Sequence, residues 1–214
     1  MDEMTDPLSR IAKALKNLIS VIGRREEGAC RYVVEEEVVR DGRCHDYGAC
    51  LFKDLKISIN KIEPDEGQRY PVTPEEVCRM LARFPREDLE GLRHVLLSPR
   101  TPVAQDLGLY GQYLEEEKGI RIYPLQVRGR YLVNRGRRGK HEIIERFTEE
   151  GIRSKTLWET LPHEIGHFVD HKRLGGRYES DERAAEEYAI AWRERRGRIT
   201  VKTYSESVVI KPIE

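Results

Sequence analysis

Leu161-Pro-His-Glu-Ile-Gly-His-Phe-Val-Asp-His171 decides the reading of this chain, because it contains His163-Glu164-Ile165-Gly166-His167, the pattern H-E-x-x-H. With 6 His in 214 residues, roughly two chains in a hundred of this composition would carry the pattern by chance. On a helix, residues four apart stack on one face about 6 Å from each other, so both imidazoles can converge on one ion. Two nitrogen donors suit zinc. Glu164 points to the adjacent side, where a carboxylate can reach a water on such an ion and act as general base. The competing reading is a solvated helix face with two incidental histidines. Ile165, Phe168 and Val169 weigh against it, since their apolar stripe predicts a buried helix. Gly166 gives up about 1 kcal/mol of helix propensity, which is tolerable where another backbone must come close. Pro162 would remove a hydrogen bond in mid-helix, so the tight part of the helix is expected to start near Thr160 with Pro162 in its first turn.

A catalytic zinc takes three protein ligands and leaves one position for water. His171, Glu182 and Glu186 compete for the third place. His171 lies eight residues beyond His163, about 12 Å along a straight helix and rotated by about 80°, so binding through all three histidines would strain them. Downstream, Ser180 can cap a second helix that puts Glu182, Ala185, Glu186 and Ala189 on one face, with Trp192 close to it. Alanines at 185 and 189 permit close approach to the metal helix. Glu182 opens that helix after the Gly175-Gly176 break, while Glu186 lies about 6 Å further along, which favours Glu182. The plainer alternative is that Asp181 and Glu182 only complement a helix dipole.

The combination of His163-Glu-Ile-Gly-His167 with Glu182-Arg-Ala-Ala185-Glu-Glu-Tyr188-Ala189 resembles the gluzincin metallopeptidases, most of all their ImmA/IrrE-type branch. The resemblance covers roughly residues 90 to 195. It implies a zincin-like catalytic unit, with a small mixed sheet packed on the metal helix and a following glutamate helix. It further implies His163, His167 and Glu182 as ligands of Zn2+ and Glu164 as base. His94 to Leu97, Ile120 to Tyr123 and Glu142 to Phe147 would supply the sheet. Tyr178, Tyr188 or His171 is the residue expected to steady the oxyanion, and the substrate expected is a polypeptide.

Away from this stretch the pattern is one of strands first and helices after, which predicts an α+β fold whose sheet leans on a helix pair. Apolar residues at helical spacing from Leu8 to Ile22 predict a first helix over 7–22. Tyr32-Val-Val and Val38-Val around the Asp41-Gly42 turn signal, then Leu55, Ile57 and Ile59, predict hairpins. Residues 1–70 thus read as a helix and β-hairpin unit, and the polar cluster Glu63-Pro-Asp-Glu-Gly67 separates it from a catalytic domain over 71–214. Thr73-Pro74-Glu75-Glu76 supplies a cap, an N1 proline and an acid for a helix to about Phe84. Leu92 to Leu97, Ile120 to Leu125 and His141 to Phe147 read as strands, Leu157 to Leu174 and Asp181 to Arg195 as helices, and Ile199 to Ile213 as one or two further strands.

Lys+Arg and Asp+Glu both total 38, and a net charge of zero argues against nucleic acid or an anionic membrane as partner. The longest apolar stretch, Ile11 to Ile22, is interrupted by Lys13, Lys16 and Asn17, so no membrane span is expected, and the acidic N-terminus is unlike a secretory signal. A cytoplasmic protein is the expectation. Cys30, Cys44, Cys50 and Cys78 then read as thiols rather than a disulfide framework. Asn and Gln together number only 7, a bias of proteins from hot environments, where intracellular disulfides do occur. Cys44-His45 with Cys50 and Cys30 forms a weaker candidate for a second, structural zinc. Arg128 to Lys140 holds six basic residues and no acid, and reads as a mobile basic loop between strands, the alternatives being contact with phosphates or with an acidic polypeptide. A metal-dependent ribonuclease built on His163, His167 and His171, or a zinc-bearing regulator without catalysis, are the alternative functions.

Overall fold

Asp41 and Gly42 make the first reversal, both at positive φ (50° and 73°) as a two-residue hairpin requires. They join β1 (Arg31–Arg40) to β2 (Arg43–Phe52), and β3 (Leu55–Ile62) continues the meander with Ile57 and Ile59 turned inward. The computed structural model describes residues 30–52, 54–176, 181–197 and 205–212. The expected helix over 7–22 lies outside them.

The boundary expected near residue 70 does not separate two sheets. β3 pairs in parallel with β5 (His94–Leu97), which pairs in parallel with β7 (Gly119–Ile122), and β6 (Gly111–Leu114) closes the edge antiparallel to β7. The first sheet therefore runs β1-β2-β3-β5-β7-β6. The residues after β3 cover it: β4 (Gln68–Arg69) leads to α1 (Pro74–Leu81), where Thr73 Oγ1 accepts from Glu76 N at 3.3 Å and Glu76 Oε2 accepts from Thr73 N at 3.0 Å. The helix stops at Leu81 rather than Phe84, and α2 (Arg86–Leu89) follows it.

After α3 (Pro102–Leu107), a second, wholly antiparallel sheet forms from β8 (Leu125–Arg128), β9 (Tyr131–Arg138), β10 (His141–Phe147) and β11 (Ser205–Pro212), in the order β11-β10-β9-β8-β4. Two expectations change here. Glu142 to Phe147 belongs to this sheet and not to the one on the helix of His163 and His167. The basic stretch 128–140 is mostly the central strand β9, because buried Leu132, Val133 and Asn134 anchor it between β8 and β10 while Arg135, Arg137 and Arg138 stay exposed. The tail expected as strand supplies β11.

The chain is thus mixed α+β with two sheets. Its main core lies between the first sheet and the helices, where α4 (Glu149–Lys155), a π-helical turn at Thr156–Thr160 and α5 (Leu161–Arg173) run on continuously and α6 (Glu182–Arg195) packs beside them. Phe84 stacks on Trp192 at 4.3 Å there. Among the described residues no helix is long and apolar enough to cross a membrane.

The cysteines depart from the thiol expectation. Packing of α1 against the sheet brings Cys78 to Cys50 across a Cα–Cα distance of 5.2 Å, and the two form a disulfide. Composition carries no information on that distance. Cys30 and Cys44 are free. The Cys44, His45, Cys50 and Cys30 set is not assembled, since six residues of extended strand separate Cys44 from Cys50 by about 20 Å. Cys44 Sγ instead meets Asp46 Oδ1 at 3.4 Å.

Candidate metal centre

Pro162 shapes the site's entry. Lacking an N–H, it leaves the carbonyl four residues back without its helical donor. The π-helical turn takes up the difference: Leu161 N–H reaches back to Thr156 O, and α5 proper begins at Leu161, one residue past Thr160. Gly166 then meets α6, where a Cβ would stand 2.7 Å from Ala185 O and 2.8 Å from Ala185 Cα. Ala185 and Ala189 are fully buried. Gly175 and Gly176, at φ 67° and 68°, end α5, with Gly176 N–H donating to His171 O at 2.9 Å. The cap of α6 is Asp181, whose Oδ1 accepts from Arg183 N at 2.9 Å; Ser180 lies outside the described residues. Asp181 N–H also donates to Asp170 Oδ2 at 3.2 Å, tying the start of α6 to α5.

This packing brings three ligand atoms together. His163 Nε2 lies 3.1 Å from His167 Nε2, Glu182 Oε2 lies 3.2 Å from His163 Nε2, and Glu182 Oε1 lies 3.5 Å from His167 Nε2. A tetrahedral ion with bonds of about 2.0–2.1 Å sets its ligand atoms about 3.3–3.4 Å apart, and these contacts, made through both Glu182 oxygens, lie close to that spacing. His163, His167 and Glu182 form a candidate metal-ligand group. Glu186 approaches the other side of the first imidazole, with Oε2 3.3 Å from His163 Nδ1. A carboxylate there fixes the ring's orientation and tautomer. Arg193 reaches Glu186 at 3.5 Å and Glu159 at 3.6 Å, and Glu159 reaches Lys155 at 3.3 Å. Glu182 is 83% exposed and His167 12%, so the site opens on the α6 side. Burial, then the His163 imidazole, hold His167 toward its neutral, metal-binding form.

Glu164 is buried against the first sheet's edge, and its Oε2 accepts from Tyr113 N at 2.8 Å. Gly111 makes room for it: a Cβ there would stand 2.8 Å from Thr160 Cγ2 and 3.3 Å from Glu164 Cγ. Burial pushes the Glu164 carboxyl up to about 8, the Tyr113 N–H pulls it down, and Glu182 adds to the rise. A cation among the three ligands would oppose that rise.

The remaining expected residues fall elsewhere. His171 Nδ1 pairs with Tyr113 Oη at 2.8 Å and stands outside the ligand cluster, so the three-histidine arrangement is not assembled. Tyr188 lies about 240° around α6 from Glu182, and its hydroxyl donates to Asp88 Oδ2 at 2.6 Å. Tyr178 lies outside the described residues. Tyr113 escaped sequence reasoning, because a four-residue strand gives no spacing that ties it to a helix 50 residues on. No protein-family model, curated protein or solved structure matches the chain.

Proposed function

We propose that this protein is a zinc-dependent peptidase with a zincin-like, gluzincin-type site, most like the ImmA/IrrE-type branch. The observation that carries the reading is the convergence of His163, His167 and Glu182 at 3.1 to 3.5 Å, with buried Glu164 beside them against the edge strand β6. His163, His167 and Glu182 would hold the ion. When bound, zinc supplies a Lewis acid for the scissile carbonyl and lowers the pKa of a coordinated water to about 7. Glu164 is fixed through Oε2 by Tyr113 N–H, which leaves Oε1 to take the water's proton and to return it to the leaving amine. β6 ends its sheet, and Glu164 already takes the Tyr113 N–H on that edge, so an extended polypeptide would add through the main-chain groups of β6 that Glu164 leaves. The Tyr113–His171 pair, with His171 one helical turn beyond His167, would offer a polar group for an oxyanion.

The test is a peptide-library digest with and without chelator, alongside metal analysis of protein purified without chelator. One zinc per chain and chelator-sensitive cleavage are expected. Glu164→Gln should keep the metal and lose hydrolysis, because the side chain acts on the water. Wild-type turnover in that variant, or no stoichiometric metal in the parent, would refute the proposal.

A further inference from the structure

Outside the histidine site, three sulfur atoms from separate parts of the chain meet in one place. Cys30 precedes β1, Cys50 lies on β2 and Cys78 on α1, and their Sγ atoms all lie within 4.8 Å of one another. Cys50 and Cys78 are fully buried and joined. Cys30 Sγ stands 2.9 Å from Cys78 Sγ and 3.5 Å from Cys50 Sγ.

The shape of this cluster separates two uses. Thiol–disulfide exchange proceeds by attack along the S–S axis, so the distances from the attacking sulfur to the two bonded sulfurs should differ by nearly the full bond of about 2.05 Å. Here they differ by only 0.6 Å, from 2.9 to 3.5 Å. The third sulfur sits beside the bond; a three-coordinate ion with bonds of about 2.3 Å sets its sulfurs about 4.0 Å apart, so these three, all within 4.8 Å of one another, need only spread slightly once the S–S bond is open.

We infer that Cys30, Cys50 and Cys78, once the disulfide is reduced, form a three-sulfur site for a soft monovalent ion of the Cu(I) class. The donor set selects the ion. Among the described residues no His, Asp or Glu joins the three cysteines as a further ligand. An all-sulfur set turns away hard cations, and a structural zinc, which takes four ligands, is left one short. Access is provided on one side. Half-buried Cys30 lines a cavity of about 570 Å³ whose rim carries Arg79, Arg83 and Arg153 against Glu76 and Glu150. The excess of arginine offsets the negative charge of the thiolates, and Met80 brings a fourth soft side chain to the same cavity wall. The chemistry balances with a dithiol as reductant. Two electrons and two protons pass to Cys50 and Cys78, their S–S bond breaks, and the dithiol leaves as its cyclic disulfide. Binding then releases one proton for each sulfur that bonds to the ion.

The experiment uses the full chain, reduced with dithiothreitol, desalted without oxygen, saturated with zinc to occupy the histidine site, and titrated with Cu(I) against a chromogenic Cu(I) chelator. One retained copper per chain, with three sulfurs and no nitrogen or oxygen in its X-ray absorption spectrum, is the expected result. The protein left oxidised should retain none. Cys44→Ser should bind as the parent does, while Cys30→Ser, with its fold checked by circular dichroism, should lose more than about 100-fold in affinity. Three results would each overturn the inference: no copper held by the reduced parent against the chelator, nitrogen or oxygen in the copper shell, or equal losses in the Cys44 and Cys30 variants. The absorption spectrum needs no variant, so a misfolded mutant does not remove the test. Failure of the peptidase proposal would leave these outcomes unchanged.

Discussion

Gly166→Ala probes whether the candidate metal centre depends on the closeness of α5 to α6. The new methyl would stand 2.7 Å from Ala185 O, 2.8 Å from Ala185 Cα and 3.1 Å from the carbonyl carbon. All three are backbone atoms, so no side-chain rotation relieves the overlap. Restoring ordinary contact at 3.4 Å requires the helices to part by about 0.7 Å locally, in a core packed too densely to absorb it elsewhere. Overpacking of this kind costs about 1–3 kcal/mol, and the gain in helix propensity over glycine returns about 1 kcal/mol. The expected net loss of stability is therefore about 0–2 kcal/mol, and the fold survives. The metal site is less forgiving, because ligand distances hold within about 0.2 Å. Glu182 and Glu186 flank Ala185 on the displaced helix, so ligand and ring-orienting carboxylate move together. Zinc affinity should fall at least about tenfold, as for loss of an outer partner or worse. Chelator-competition titration reads the affinity, and thermal melts of the metal-free protein read the stability. A variant that melts below the parent yet binds zinc within twofold of it would refute the coupling between helix spacing and ligand geometry.

Other outcomes follow from the same contacts. Glu182→Ala should lose more zinc affinity than Glu186→Ala, whose effect through His163 Nδ1 falls within about 10–100-fold, and His171→Ala, facing Tyr113, should bind nearly as the parent; the same titration checks all three. Burial raises the hydroxyl pKa of Tyr70 and of Tyr188, whose bond to Asp88 adds to the effect. A raised folded value means stability is fully present below the unfolded value of about 10 and declines as pH climbs above it. Urea midpoints measured from pH 8 to 11 should show that decline, and Tyr188→Phe should make it shallower. Trp192→Ala removes a side chain 1% exposed and stacked on Phe84 at 4.3 Å, and denaturant titration should show a loss of about 3–5 kcal/mol.

The parts of this fold that were legible in the sequence are those set by neighbours within one or two turns of chain. The Thr73 capping box, the Asp41-Gly42 reversal, the Gly175-Gly176 break and the two stacked histidines all act through backbone conformations or i, i+4 spacing. Gly166 was legible for the same reason, since a costly glycine inside a helix signals a close neighbour, and Ala185 is that neighbour. What escaped depends on partners far along the chain. Nothing local distinguishes a strand of the first sheet from one of the second, so β10 was assigned to the wrong sheet and β1–β3 to a separate unit. Charge density made the basic stretch look like a loop, although Leu132 to Asn134 within it carry the buried pattern that anchors a central strand. Cys50 and Cys78 meet only because α1 lies over the sheet.

The division has a physical basis within the metal centre itself. Two residues four apart on α5, His163 and His167, face two residues four apart on α6, Glu182 and Glu186, across an interface of Gly166, Ala185 and Ala189. The equal spacing gives the glutamates different partners: Glu182 meets both Nε2 atoms, while Glu186, a turn further on, meets only His163 Nδ1. The small residues set the helix separation that makes both meetings simultaneous. A sequence shows the two pairs and the small residues, because each is a short-range pattern. It does not show Tyr113, whose backbone N–H holds Glu164 from an edge strand 51 positions away. That hydrogen bond belongs to the strand's main chain, so substituting the Tyr113 side chain would leave it in place. The aim of the proposed base therefore depends on the register of β6 against β7, with Gly111 opposite Ile122 and Tyr113 opposite Ile120, and on the absence of a Cβ at Gly111.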